Sequence, residues 1–107
     1  MFQQPDTQSP LACDLTAIEP TQRAAHETLA THLVKEAVLE KRELPDGFAF
    51  RFAAEQYAEI TAFIANERLC CPFFHFALDV MPDRGPIWLR LTGHEGVKAL
   101  LTAEFGQ

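Results

Sequence analysis

The segment that most constrains the fold is LPDGFAFRF, residues 44 to 52, because it has the pattern of a β-hairpin. Pro45 suits the first central position of a tight turn, and Gly47 suits a position that requires positive φ. Beyond the turn, three phenylalanines alternate with smaller or charged residues, which is the period of a strand with one apolar face. The segment EAVLEKREL before the turn is the partner strand.

Two helices are predicted near the ends of the chain. The first begins at TAIEP with a capping box, in which Thr16 accepts from helix amides and Glu19 reaches back to the helix start. It extends to about Lys35, and its buried stripe is Ala25, Leu29 and Leu33. The last helix is GHEGVKALLTAEF.

The central helix is AAEQYAEITAFIANERLCC, which Pro72 stops because the residue before a proline resists the helical conformation. At about 100° per residue, its apolar stripe includes Ile60 and Cys71, whereas Cys70 falls at the flank beside Phe63. The predicted stripe is Tyr57, Ile60, Ile64 and Cys71.

A second hairpin follows, with strands FFHFALDV and PIWLRLTG joined by MPDRGP. The order is therefore α-β-β-α-β-β-α, which predicts an α+β fold: a four-stranded antiparallel sheet with helices mainly on one face. Residues 1 to 12 are predicted to be a flexible tail, and residues 13 to 107 a single domain.

Composition excludes several functional classes. The net charge is −6 without a run of Lys or Arg, so binding to nucleic acid or anionic lipid is disfavoured. No stretch of about 18 apolar residues and no secretory signal is present. These observations predict a cytoplasmic protein, in which the three cysteines are reduced thiols.

The adjacent cysteines in ERLCCPFFHF are the chemically distinctive feature. The end of a helix raises a thiol pKa, which disfavours a catalytic nucleophile and hence an enzyme. Thiolates select soft ions such as Cu(I), Hg(II) or As(III), whereas the spacing here is not that of a zinc site. We therefore predict Cys70 and Cys71 as metal ligands, with Cys13 as the third if the first helix starts near the end of the second.

Two alternatives stay open at this point. The cysteines fit a thiol redox protein or sensor, and they equally fit a structural or interaction domain in which they only pack. Trp88 and Arg90 face away from the apolar side of their strand, and together with Phe73 they predict a homodimer contact. His75 is more simply a surface histidine than a ligand.

The segments ERLCCPFFHFALDV and GPIWLRLTGHEGVKALL resemble a family of small bacterial proteins that share a Glu-Arg-x-Cys-Cys-Pro-Phe run and a Gly-Pro-x-Trp-Leu strand. CDLT and LPDGFAFRF extend the resemblance over most of residues 13 to 105. The resemblance implies no activity, since none is established for the family. It implies that the family's cysteines are Cys13, Cys70 and Cys71.

Overall fold

The computed structural model describes residues 12 to 105. The predicted tail, residues 1 to 12, therefore lies almost entirely outside the described residues. The predicted order of helices and strands is confirmed over the described part. Its main elements are α1 (Arg23–Thr31), β1 (Glu40–Leu44), β2 (Gly47–Phe52), α2 (Tyr57–Cys70), β3 (His75–Val80), β4 (Ile87–Thr92) and α3 (Val97–Phe105).

The four strands form one antiparallel sheet in the order β1-β2-β4-β3. The two hairpins therefore join through β2 and β4, and every second row of the sheet brings apolar side chains together across three strands. In the central row, Phe50 lies opposite Leu89, which lies opposite Leu78. The predicted α+β fold is thus confirmed.

One face of the sheet carries the hydrophobic core, which the helices cover. Phe50 and Phe52 are almost fully buried, as are Ile60 and Phe63 of α2 and Leu101 of α3. Burial of these large side chains supplies the main driving force for folding. The sheet was predictable from the sequence because apolar residues such as Phe50 and Phe52 alternate along the strands.

Gly47 is required at the first hairpin for a reason other than the predicted positive φ. The glycine with positive φ among the described residues is Gly96. A Cβ atom on Gly47 would lie 1.9 Å from the backbone oxygen of Leu91, on the neighbouring strand. Glycine therefore allows the turn to approach β4 closely.

The start of the first helix differs from the predicted capping box. Two short 3₁₀ turns, Leu15–Ala17 and Pro20–Gln22, precede α1. The amide of Thr16 donates to the Asp14 side chain, and the amide of Thr21 donates to Glu19. Each acidic residue thus caps its own turn instead of sharing one box. A π-helical turn, His32–Ala37, follows α1.

The buried side of α2 also differs from the predicted stripe. Ile60, Phe63, Glu67 and Cys70 are buried, whereas Tyr57 is half exposed. The helix ends at Cys70, and Cys71 has a non-helical backbone, so helical angles do not apply to Cys71. Cys70 therefore belongs to the buried stripe of α2, and Cys71 is buried just beyond the end of the helix.

The open face of the sheet is polar around Trp88. The Arg42 guanidinium lies over the Trp88 ring, 4.6 Å from the ring centroid. This cation–π contact covers part of the indole within the chain itself. The homodimer contact at Trp88 stays a prediction. No helix in the described part of the chain is long and apolar enough to cross a bilayer.

Candidate thiol and metal site

The three cysteines meet at the C-terminal end of α2. Cys13 belongs to the segment before the first 3₁₀ turn, Cys70 is the last residue of α2, and Cys71 follows it. Their three sulfur atoms lie within 4.8 Å of one another. The structure thus brings together the three cysteines that the sequence predicts as ligands.

Two of the sulfurs form a disulfide bond, Cys13–Cys71. The interpretation of all three cysteines as free thiols is therefore wrong for this pair. Sequence spacing conceals the pairing because 58 positions separate the two residues. Cys70 is a free thiol, and its sulfur lies 3.4 Å from that of Cys71. The adjacent pair is not itself a disulfide.

The backbone holds this junction in place independently of the sulfurs. The amide of Asp14 donates to the carbonyl of Cys70 at 2.8 Å, and the amide of Cys71 donates to the carbonyl of Glu67 at 2.8 Å. Pro72 has no amide hydrogen and prevents α2 from continuing. The segment containing Cys13 is consequently fixed against the end of α2.

Glu67 places a carboxylate against both adjacent cysteines. Its side chain lies one turn before them on α2 and is 5% exposed. The Cys70 thiol donates to Oε1 at 3.7 Å, and Oε2 lies 3.5 Å from the sulfur of Cys71. A buried carboxylate requires such partners, because burial without them is costly.

His26 is the other partner of this carboxylate. Its Nε2 lies 2.8 Å from Glu67 Oε1, and the imidazole is 4% exposed. The ring stacks on Phe63 with a centroid separation of 5.6 Å, which fixes its orientation. Its Nδ1 is buried without a hydrogen-bond partner among the described residues. His26, Glu67 and Cys70 thus form a second group of ligand atoms within 4.8 Å of one another.

The environment of Cys70 favours its neutral thiol form. Burial, followed by the charge of Glu67, raises the pKa of Cys70 to about 12. The sequence predicts the direction of this shift from the helix end, whereas in the structure the shift in the Cys70 pKa arises from burial and from Glu67. The pKa of Glu104 is also raised, by burial and then by Glu67.

These side chains line a cavity of about 300 Å³. Glu104 of α3 reaches it, with a carboxylate oxygen within 4.8 Å of ligand atoms of Cys13 and Glu67. The cavity therefore gathers donors from α1, α2, α3 and the segment before α1. Its lining consists of Cys13, Leu15, His26, Glu27, Ala30, Glu67, Cys70, Cys71 and Glu104.

Sequence reasoning missed His26, Glu67 and Glu104. A signal for Glu67 was present, since a carboxylate four residues after Phe63 and three before Cys70 falls on the same helical face. His26 likewise precedes Leu33 by seven residues, which places it on the buried side of the first helix. His75 is exposed on β3 and does not belong to the groups of ligand atoms described above.

Comparison of the chain with models of protein families, with curated proteins and with solved structures gives no match. The family resemblance read from the ERLCCPFF segment therefore stays a prediction.

Proposed function

We propose that the reduced protein binds a soft, thiophilic metal ion or metalloid, of the class Cu(I), Hg(II) or As(III), through Cys13, Cys70 and Cys71. The observation that carries the proposal is the approach of three sulfur atoms to within 4.8 Å of one another at the wall of a cavity. Soft ions prefer thiolate ligands, and three of them complete a trigonal site.

Binding requires the Cys13–Cys71 disulfide to be opened first. Two equivalents of a small thiol such as glutathione open the bond: each cysteine sulfur gains one electron and one proton, and the two small thiols are oxidised to their own disulfide. Three cysteine thiols are then present at the site. The oxidised form offers a single thiol, Cys70, beside a disulfide. The proposed function therefore belongs to the reduced protein, and oxidation abolishes it.

The groups behind the sulfurs favour an ordered site. Ligands of a metal are commonly oriented by hydrogen bonds from a second layer of residues. Glu67 lies against both adjacent cysteines, and His26 holds Glu67 from the far side. The carboxylate and imidazole are fixed by packing between α1 and α2, so the thiols have a rigid support.

Native mass spectrometry of the reduced chain, titrated separately with Cu(I), Hg(II), arsenite and Zn(II), tests the proposal. We expect a soft ion to form a one-to-one complex that survives excess glutathione and whose mass reveals the loss of one proton per bound sulfur. The oxidised protein is the matched control and should bind none. Cys13→Ser and Cys70→Ser should each lose the glutathione-resistant complex. Failure of every soft ion to form such a complex would overturn the proposal.

A thiol redox sensor is the second candidate, because the Cys13–Cys71 bond is itself an oxidised state. The sulfur of the free thiol, Cys70, lies 3.4 Å from that of Cys71. This function predicts a disulfide that opens and closes within the range of glutathione buffers, with no ion bound. The raised pKa of Cys70 argues against that residue as the attacking thiolate. Equilibration in glutathione buffers followed by alkylation and mass analysis distinguishes this candidate.

A further inference from the structure

The cavity beside the sulfurs is lined by acidic side chains. Glu27, Glu67 and Glu104 contribute carboxylates, and no Lys or Arg belongs to the lining drawn from residues 12 to 105. His26 is the basic side chain in that lining, and it is already paired with Glu67. Negative charge added at the sulfurs would therefore meet little compensation.

The charge added on binding depends on the valence of the ion. Three thiols lose three protons when they become thiolate ligands, so a monovalent ion leaves the site two charges more negative than before. A divalent ion leaves it one charge more negative. A trivalent centre leaves the charge of the site unchanged.

The charge that an ion adds to the site affects its binding because the Glu67 carboxylate lies beside the sulfurs. The two oxygens of Glu67 lie 3.7 Å and 3.5 Å from the sulfurs of Cys70 and Cys71. Glu67 is 5% exposed, so solvent screens the repulsion between its carboxylate and an anionic complex weakly. The repulsion opposes monovalent and divalent ions and spares a trivalent one.

We infer that the site selects a trivalent metalloid hydroxide, represented by arsenous acid, As(OH)₃, and this inference rests on the proposed function. Each thiol forms one As–S bond while one As–O bond breaks. The thiol proton leaves with the displaced hydroxide as water. Three thiols and one As(OH)₃ thus give one As(S-Cys)₃ and three waters, and arsenic keeps its oxidation state throughout.

The number of donors agrees with this ligand class. Trivalent arsenic takes three sulfur ligands and directs its lone pair at the fourth position, so it requires no carboxylate. A divalent ion such as Cd(II) prefers a fourth ligand. If Glu67 supplied that ligand, removing its carboxylate would weaken Cd(II) binding, whereas removing a carboxylate that only repels the anionic complex strengthens Cd(II) binding.

The experiment measures the affinities of the reduced full-length chain for arsenite and for Cd(II), each against glutathione as competitor. We expect the wild type, relative to glutathione, to favour arsenite over Cd(II). Glu67→Gln keeps a side chain of the same size and should lower that preference by roughly tenfold, by strengthening Cd(II) binding. Glu55→Gln, which removes a carboxylate outside the cavity lining, should leave the preference within about twofold.

Two kinds of failure are distinguishable. A wild type that forms a one-to-one complex with none of arsenite, Cd(II), Cu(I) and Hg(II) refutes the proposed function and this inference together. A wild type that binds another of these ions but not arsenite, or that binds Cd(II) in preference, refutes this inference alone, as does a Glu67→Gln variant with unchanged preference or weaker Cd(II) binding. Should Glu67→Gln fail to fold, Glu104→Gln removes another carboxylate from the lining of the cavity and must shift the preference in the same direction.

Discussion

His26 Nε2 and Glu67 Oε1 lie 2.8 Å apart with both side chains buried, and this pair joins α1 to α2 across 41 positions of the sequence. Removing one member of such a pair leaves the other buried without its partner. The chain also contains an exposed pair of the same chemistry, His32 with Glu36, at 2.9 Å.

We predict that His26→Leu lowers the free energy of unfolding by roughly 3 kcal/mol, because the Glu67 carboxylate then stays buried without the imidazole. The exposed pair is the matched control: Glu36→Gln should cost less than about 1 kcal/mol, since solvent screens that contact. Urea denaturation followed by circular dichroism measures both. Equal losses in the two variants would contradict the structural role assigned to the buried pair.

The Cys70 thiol should resist alkylation in the folded, oxidised protein. Its raised pKa of about 12 keeps it roughly 99% protonated even at pH 10. Iodoacetamide labelling followed by mass spectrometry should therefore show slow modification that still accelerates above pH 10. Unfolding in urea without reductant should make the same thiol react quickly. A labelling rate that levels off near pH 9 would contradict the shift.

The same shift makes the folded state sensitive to alkaline pH. Because folding raises the pKa of this thiol, the folded protein binds its proton more tightly than the unfolded chain does. The resulting stabilisation is complete at neutral pH and is lost as the pH rises from about 9 through about 12. Cys70→Ala should remove this part of the alkaline destabilisation, as measured by urea denaturation at each pH.

The Cys13–Cys71 disulfide should stabilise the oxidised protein by about 4 kcal/mol, the chain-entropy value for a loop of 58 residues. We therefore expect Cys13→Ser to lower the thermal unfolding midpoint measured without reductant. Reductant should lower the midpoint of the wild type to that of the variant and leave the variant unchanged. Cys70→Ala, which keeps the disulfide, is the control and should still respond to reductant.

Self-association through the open sheet face is a separate prediction. Sedimentation equilibrium at micromolar concentration should give a homodimer, and Trp88→Glu should give a 12.0 kDa monomer. The contact of Arg42 with Trp88 already covers part of the indole, so Arg42→Ala should strengthen association by exposing the ring. A wild-type monomer at these concentrations would refute the dimer.

The sheet could be predicted because alternation reports directly which face of a strand is buried. Phe48, Phe50 and Phe52 lie opposite Leu91, Leu89 and Ile87, as two matching apolar faces require. Gly47 was a harder case. Glycine is required at this position because the backbone of β4 approaches it closely, and the local turn sequence contains no information about that approach.

The site was predictable only in part. The adjacent cysteines follow from the sequence, but the disulfide partner depends on how α2 packs against the segment before α1. Glu67 was overlooked because a glutamate on a helix is ordinarily a solvated residue. Its burial depends on His26, which belongs to another helix, and no local pattern joins the two.

The amide of Asp14 donates to the carbonyl of Cys70, and this bond involves no sulfur. Opening the disulfide therefore leaves the Cys13 backbone tethered next to Cys70. Under the proposed function, an ion held by the adjacent cysteines would meet the third sulfur at a high effective concentration, because capture of that sulfur is an intramolecular step. Much of the ordering entropy of a three-sulfur chelate would thus already be lost on folding, which would help a small chain to hold a soft ion against an excess of free thiols.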